Sequence, residues 1–266
     1  MRTIGVLGGM GPAAAADFYA RIVAAHGALR DQDHPPCILY SATQVPDRTA
    51  FLLGDGADPT PELVAAAGLI EAAGADFVAI PCNSAHAFLA PIRAGVSIPV
   101  LDMTRLASAA VARVVPRARK IGLLATSGTV DAGLYEDPLR ENGLEPVYPE
   151  DEFQAAVMSA IKDVKAGTAP GASGTDPGAR VGAESSDAVT GVESPGGSDP
   201  RLLAAAGHLG ERGADCVIMA CTEVPLALAV ADAPIVALDG NQILVDTTLA
   251  LAVGRLQFED VAYAVR

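Results

Sequence analysis

The sequence predicts an α/β protein made of two parallel-sheet domains related by a pseudo-twofold axis, with an active site in the cleft between them. Three observations carry this. Short apolar strands alternate with helical stretches along the chain; two long blocks of the first half recur in the second; and the best-matched block ends in both copies at a cysteine.

The elements follow in order. The first half offers "TIGVL" from Thr3, the helical "AAADFYARIVAAHGAL" from Ala14, "CILYSA" from Cys37, the helical "PELVAAAGLIEAAG" from Pro61 and "FVAIP" from Phe77. The second offers "KIGLLA", "EPVYP", "CVIMA" and "PIVAL", with helices between. Strands spaced by helices imply parallel sheets covered on both faces, whose ligands sit beyond the carboxyl ends of the strands.

The repeat is explicit. "LVAAAGLIEAAGADFVAIPCN" from Leu63 aligns without gaps on "LLAAAGHLGERGADCVIMACT" from Leu202, which puts Cys82 on Cys221. "RTIGVLGGMGP" from Arg2 aligns on "RKIGLLATSGT" from Arg119 with a smaller offset, so the second copy carries extra residues between its blocks. These are residues 168–200, rich in Gly, Ser, Pro and Ala and without either periodicity. Such a segment predicts a surface insertion, either a plain linker or a flap at the cleft mouth. The expected division is 1–115, 116–230 with that insertion, and 231–266 as a strand and helix packing back on the first domain.

Composition bounds the function. The 266 residues are half apolar and carry a net charge of −14 with a pI near 4.6, which argues against nucleic acid as a partner. No uninterrupted apolar run reaches the roughly 18 residues of a membrane span, and the glycine-broken start lacks a signal-peptide pattern. The four cysteines are expected as free thiols in a reducing cytoplasm. An acidic chain that binds an anionic small molecule needs local cations. Arg48 in "VPDRT" and Lys165 in "DVKAG" are available, unless Arg48 pairs with Asp47 or Asp55 and Lys165 caps its helix.

Cys82 and Cys221 each end a strand and precede a small polar pair, "NS" or "TE", and then a helix. A helix N-terminus lowers a thiol's pKa, so thiolate character is expected. Two such thiols facing across a cleft have the geometry of a two-base proton transfer at carbon. The alternatives are buried packing and a zinc site using Cys82, His86, Cys216 and Cys221, which the absence of a C-x-x-C pair disfavours. Cys37 and Cys216 read as packing, and His26, His34, His86 and His208 as structural. The "GMGPAA" loop fits a dinucleotide fingerprint, but the next strand ends without the acidic residue a ribose needs, and a carboxylate is an equally good ligand for such a loop.

Taken together, "IGVLGGMGP", "DQDHPP", "PDRTAFLL", "GADFVAIPCNSAH", "KIGLLATSGTV", "VKAG" and "GADCVIMACTEVPL" resemble the aspartate/glutamate racemase family, in particular its aspartate racemase branch. The resemblance spans nearly the whole chain except the insertion. It implies a homodimeric isomerase that interconverts L- and D-aspartate or glutamate without pyridoxal phosphate or metal. By position, Cys82 and Cys221 become the acid/base thiols, Cys82 serving the D- and Cys221 the L-enantiomer. Asn83, Ser84, Thr126, Thr129 and Thr222 hold the α-carboxylate and ammonium region, and the loop at Met10 closes the site. Arg48 and Lys165 take the distal carboxylate, and Glu223 assists the second cysteine or the ammonium group. Ser84 replaces the family's more frequent threonine and keeps the hydroxyl. The competing functions are an isomerase of a small dicarboxylic acid such as maleate and a non-catalytic dicarboxylate-binding protein. The related decarboxylases typically lack one of the two cysteines.

Overall fold

The computed structural model describes residues 1–169 and 197–261. Most of the predicted insertion therefore lies outside the described residues. Its two ends are inside them and belong to the fold: Thr168 N–H bonds the Asp163 carbonyl, and Asp199 is fully buried, its N–H bonding the Ala227 carbonyl.

The first half runs β1 (Ile4–Gly8), α1 (Pro12–His26), β2 (Cys37–Ser41), α2 (Arg48–Leu52), α3 (Thr60–Ala72), β3 (Phe77–Ala79), α4 (Leu89–Ala94) and α5 (Met103–Val114). The second runs β4 (Lys120–Ala125), α6 (Ser127–Asp131), α7 (Glu136–Glu141), β5 (Glu145–Val147), α8 (Asp151–Ala166), α9 (Pro200–Glu211), β6 (Cys216–Ala220), β7 (Ala237–Asp239) and α10 (Gly240–Ala252). All pairings are parallel, in the orders β2-β1-β3 and β5-β4-β6-β7.

The sequence repeat is a structural one. A Cβ on Gly5 in β1 would lie 2.4 Å from Ile70 of α3, and one on Gly122 in β4 would lie 3.0 Å from Leu209 of α9, so in each half a strand glycine lets the equivalent helix pack close. The counterpart of β7 in the first half is a single parallel bridge, Val78 to Val100. After it, Asp102 caps α5 by accepting from the N–H groups of Thr104 and Arg105, as Asp239 caps α10 by accepting from those of Asn241 and Gln242.

These two last helices are exchanged. Ala107, Ala110 and Val111 of α5 pack on Ile121, Cys216 and Ile218 of the second sheet. Leu244, Val245 and Leu251 of α10 pack on Ile4, Val6 and Phe77 of the first. Each large apolar side chain buried this way contributes about 1.5–3 kcal/mol. A boundary at residue 115 thus separates the repeats but not the packing units, and the expected C-terminal unit divides: α10 returns to the first sheet while β7 pairs with β6 in the second.

A buried arginine ties the exchanged helix down. Arg21 of α1 pairs with Asp17 on its own helix and with Asp239, the α10 cap, and Asn241 donates to Asp17. Removing the cation leaves the buried Asp239 and the half-buried Asp17 carboxylates without a counter-charge. Arg21→Met is therefore expected to lower the unfolding free energy by about 3–5 kcal/mol, read from urea denaturation. A loss below about 1 kcal/mol, the scale of a surface pair, would mean that the triad does not hold the halves together.

Candidate active site

Loops at the carboxyl ends of β1, β3, β4 and β6 converge between the two sheets, where parallel sheets present their ligand sites. Met10 follows β1; Cys82, Asn83 and Ser84 follow β3; Thr126 and Thr129 follow β4; Cys221, Thr222 and Glu223 follow β6; and Lys165 reaches in from α8. Together with Ala220 they enclose a cavity of only about 10 Å³. That is room for one water at most. Every predicted site residue except Arg48 lines it.

Arg48 lies directly behind. Its buried guanidinium donates to the carbonyls of Val45, Pro46 and Met10, at 3.2, 2.9 and 3.1 Å. No carboxylate lies within ion-pair distance of it among the described residues, and its Nε is buried without a partner. The pairing with Asp47 or Asp55 is not formed; Asp47 instead accepts from the Ala50 N–H to cap α2. Lys165 does not cap its own helix, whose end is made by Gly167 in the left-handed region; its Nζ lies 3.9 Å from Glu223. Burial alone would lower the Lys165 pKa, but the Glu223 carboxylate, and negative charge on either sulfur, outweigh it and hold the ammonium form.

The thiols sit in different surroundings. Cys82 Sγ is 3.6 Å from the Met10 carbonyl, to which it donates, and 3.6 Å from Ser84 Oγ. Cys221 Sγ donates to Glu223 Oε2 at 3.0 Å. Burial first, and then the Glu223 carboxylate, push the Cys221 thiol well above the ordinary 9.0. This corrects the thiolate character expected of Cys221. Each cysteine is followed by a short 3-10 turn, Ser84–Phe88 or Val224–Leu226, instead of a full α-helix, and one turn's dipole does not offset a carboxylate in contact with the sulfur.

The residue after each cysteine bonds across to the other half. Thr222 Oγ1 donates to the Pro81 carbonyl at 3.4 Å, and Asn83 Oδ1 accepts from Tyr135 at 2.6 Å. Thr126 caps α6, and its hydroxyl is 3.0 Å from that of Thr129. Arg48 Nε, Asn83 Nδ2 and Glu223 Oε1 are all buried and lack hydrogen-bond partners. The open donor of Asn83 and the open acceptor of Glu223 line the cavity and that of Arg48 lies behind it, and buried polar groups left open in this way call for a partner.

His86 is structural. Its Nδ1–H donates to the Cys82 carbonyl and its Nε2 accepts from the Met103 N–H, so neither ring nitrogen is free for a metal, and burial holds its pKa down. Among the described residues no group of three or more His, Cys, Asp or Glu is placed to hold a metal ion. All four cysteines are unpaired. Cys216 is buried in β6 and Cys37 partly buried in β2; burial pushes each thiol up to about 11. The glycine loop is not free for a dinucleotide. A Cβ at Gly11 would stand 2.9 Å from Glu223 Oε1, which leaves no space for a pyrophosphate at the start of α1. Sequence reasoning missed Gly11 as a wall of the site, and Tyr135 and Ala220 altogether.

The same architecture recurs in solved structures. An aspartate racemase from Picrophilus torridus superposes with a TM-score of 0.76 over all of both chains at 24% identity. A glutamate racemase from Campylobacter jejuni superposes with a TM-score of 0.59, over 96% of this chain and 86% of that one, at 16% identity. At these identities the likeness is one of fold. By sequence, the broad specificity amino-acid racemase RacX of Bacillus subtilis (strain 168) is 29% identical over 169 residues, 61% of this chain and 70% of the relative. The family model described as Asp/Glu/Hydantoin racemase matches residues 7–175, and the chain belongs to that family of isomerases.

Proposed function

We propose that the chain racemises aspartate or glutamate without a cofactor, by moving the α-proton between Cys82 and Cys221. The observation that carries this is the pairing of two buried thiols, one from each half, in a single cavity lined by the open donor of Asn83 and the open acceptor of Glu223, with the Arg48 guanidinium behind it. A buried guanidinium without a carboxylate is costly unless an anion joins it, and a bidentate or charge-assisted contact is the strong form of that union. Arg48 and Lys165 take the distal carboxylate. Asn83, Ser84 and the hydroxyls of Thr126, Thr129 and Thr222 hold the amino-acid head, and Glu223 Oε1 accepts from the ammonium. That last demand favours an amino acid over maleate, which has no donor to offer. The cavity is far smaller than either substrate, so the loops around it part for entry and the Met10 loop closes again over the bound ligand.

The proton steps follow from the contacts. With the D-enantiomer, Cys82 as thiolate removes the α-proton while the Cys221 thiol delivers its own to the opposite face. The L-enantiomer runs the same step in reverse: Cys221 as thiolate removes the α-proton, the Cys82 thiol delivers its own to the opposite face, and the Cys221 thiol so formed donates to Glu223 Oε2 at 3.0 Å. Fixed donors at the carboxylate stabilise the charge that develops as the α-proton leaves. The same reading makes the protein a cytoplasmic homodimer. Four free thiols support a reducing compartment, and the exposed Leu39 and Tyr40 on edge strand β2 are surface a second copy can cover.

Incubated with each enantiomer of aspartate and glutamate in D2O, the protein is expected to exchange the α-hydrogen of at least one pair, followed by NMR. Cys82→Ser and Cys221→Ser should each lower that rate by about 10²–10⁴-fold, the range of a general acid or base. Near-normal exchange in either variant would rule the two-thiol mechanism out.

Arg48→Leu and Lys165→Met are each expected to lower kcat/KM for the dicarboxylic amino acid by about tenfold or more, through loss of a charge-assisted partner. Alanine should be a poor substrate of the parent. Efficient alanine turnover would remove the distal-carboxylate assignment.

Glu223→Gln removes the negative charge that raises the Cys221 pKa, so the thiolate fraction at pH 8 should increase. Carboxamidomethylation of Cys221, followed by peptide mass spectrometry, is expected to speed up several-fold even as exchange from the L-enantiomer slows. An unchanged labelling rate would show that burial alone holds the thiol protonated.

A further inference from the structure

We propose that Tyr135 is a positioning residue: its hydroxyl fixes the Asn83 amide so that the cavity meets the amide's N–H donors and not its oxygen. This rests on the reading that Asn83 binds the substrate carboxylate, and it adds a residue from the opposite half to that task.

Tyr135 lies between α6 and α7 and is almost wholly buried, at 1% exposure, with its hydroxyl 2.6 Å from Asn83 Oδ1. Asn83 lines the cavity and its Nδ2 is buried without a partner. An amide can face a hydroxyl either way round, so the choice has to be decided by satisfaction. With Oδ1 toward Tyr135, the phenol donates and the amide oxygen is satisfied, and only the Nδ2 hydrogens remain for a ligand. With the amide reversed, the phenol accepts, its own hydrogen has no acceptor among the described contacts, and Oδ1 is left bare as well. The first arrangement strands fewer buried groups. Tyr135 is also held as a donor, because burial and then the nearby Asp102 and Cys221 push its ionisation well above the ordinary 10.0.

The consequence is a fixed polarity at one wall of the cavity. A carboxylate meets the Nδ2–H donors of Asn83, whereas without Tyr135 the amide is free to rotate and present its oxygen to the same anion. Since Tyr135 belongs to the second half and Asn83 to the first, this donor is set only while the halves are together.

A double-mutant cycle tests it, with Tyr135→Phe, Asn83→Ala and the pair. Two quantities are read: KM and kcat for α-hydrogen exchange, and the inhibition or binding constant of succinate, a dicarboxylate without an ammonium. Tyr135→Phe alone is expected to raise KM and weaken succinate about five- to tenfold, with kcat changed less, and to have under twofold effect once Asn83 is alanine. Equal effects in both backgrounds would overturn the proposal, since a merely structural role adds independently of Asn83. Should Tyr135→Phe fail to fold, Asn83→Asp decides. It keeps an oxygen for Tyr135 and turns a second oxygen toward the ligand, so succinate affinity should fall at least about tenfold; retained affinity would mean that oxygen already faced the cavity. A parent protein that exchanges no α-hydrogen overturns the racemase reading, while succinate binding still judges Tyr135.

Discussion

One backbone carbonyl, that of Met10, joins the fold of the first half to its site. It accepts from Arg48 and from the Cys82 thiol together, so the arginine's position and the thiol's direction are set by the same atom. The oxygen points there because Gly9 adopts φ +92°, and a Cβ on Gly9 would lie 2.4 Å from the Ala42 nitrogen. No other residue makes that turn without strain. The loop then delivers Gly11 against Glu223 and starts α1 at Pro12, where a missing N–H costs nothing.

Such a site works against stability. A guanidinium with no carboxylate, a lysine almost 4 Å from its partner and a thiol raised against a carboxylate are all held in or beside a nearly dry cavity. The guanidinium without a carboxylate is the clearest cost among them. The offset comes from elsewhere in the chain. By exchanging α5 and α10, the two halves bury apolar faces on each other's sheets, and the Arg21 triad fixes the join. The sheets can then hold unsatisfied groups at their ends because their middles are closely packed.

Much of this was legible from residue pattern. The strands from Ile4, Cys37, Phe77, Lys120 and Cys216 stand where β-branched runs predicted them, and the repeat marked Cys82 and Cys221 before any coordinates. What the pattern missed depends on distance across the chain. Nothing in "AGLYED" marks Tyr135 as a neighbour of Asn83, because the contact exists only once two halves close. Arg48 was expected in the cavity and sits behind it, since a side chain's reach past a loop carbonyl is not written in its spacing. The Cys221 thiol was expected to ionise easily; burial, and after it the glutamate two residues on, visible in "CTE", push its pKa up instead, against a short turn's dipole. The return of the C-terminal helix to the first sheet was expected, but the packing of α5 on the second was hidden for a similar reason: amphipathic helices say which face is buried and not against what.

The duplication finally explains why two equivalent cysteines are not chemically equal. In both copies the residue one step past the thiol reaches the opposite half, Asn83 to Tyr135 and Thr222 to the Pro81 carbonyl. In both, the residue two steps past touches the sulfur, Ser84 at 3.6 Å from Cys82 and Glu223 at 3.0 Å from Cys221. The backbone plan is therefore symmetric and the side chains are not. A hydroxyl stands beside one thiol, while burial and then a carboxylate raise the pKa of the other. The serine and the glutamate thus make chemically different two thiols that the backbone frame would otherwise make identical.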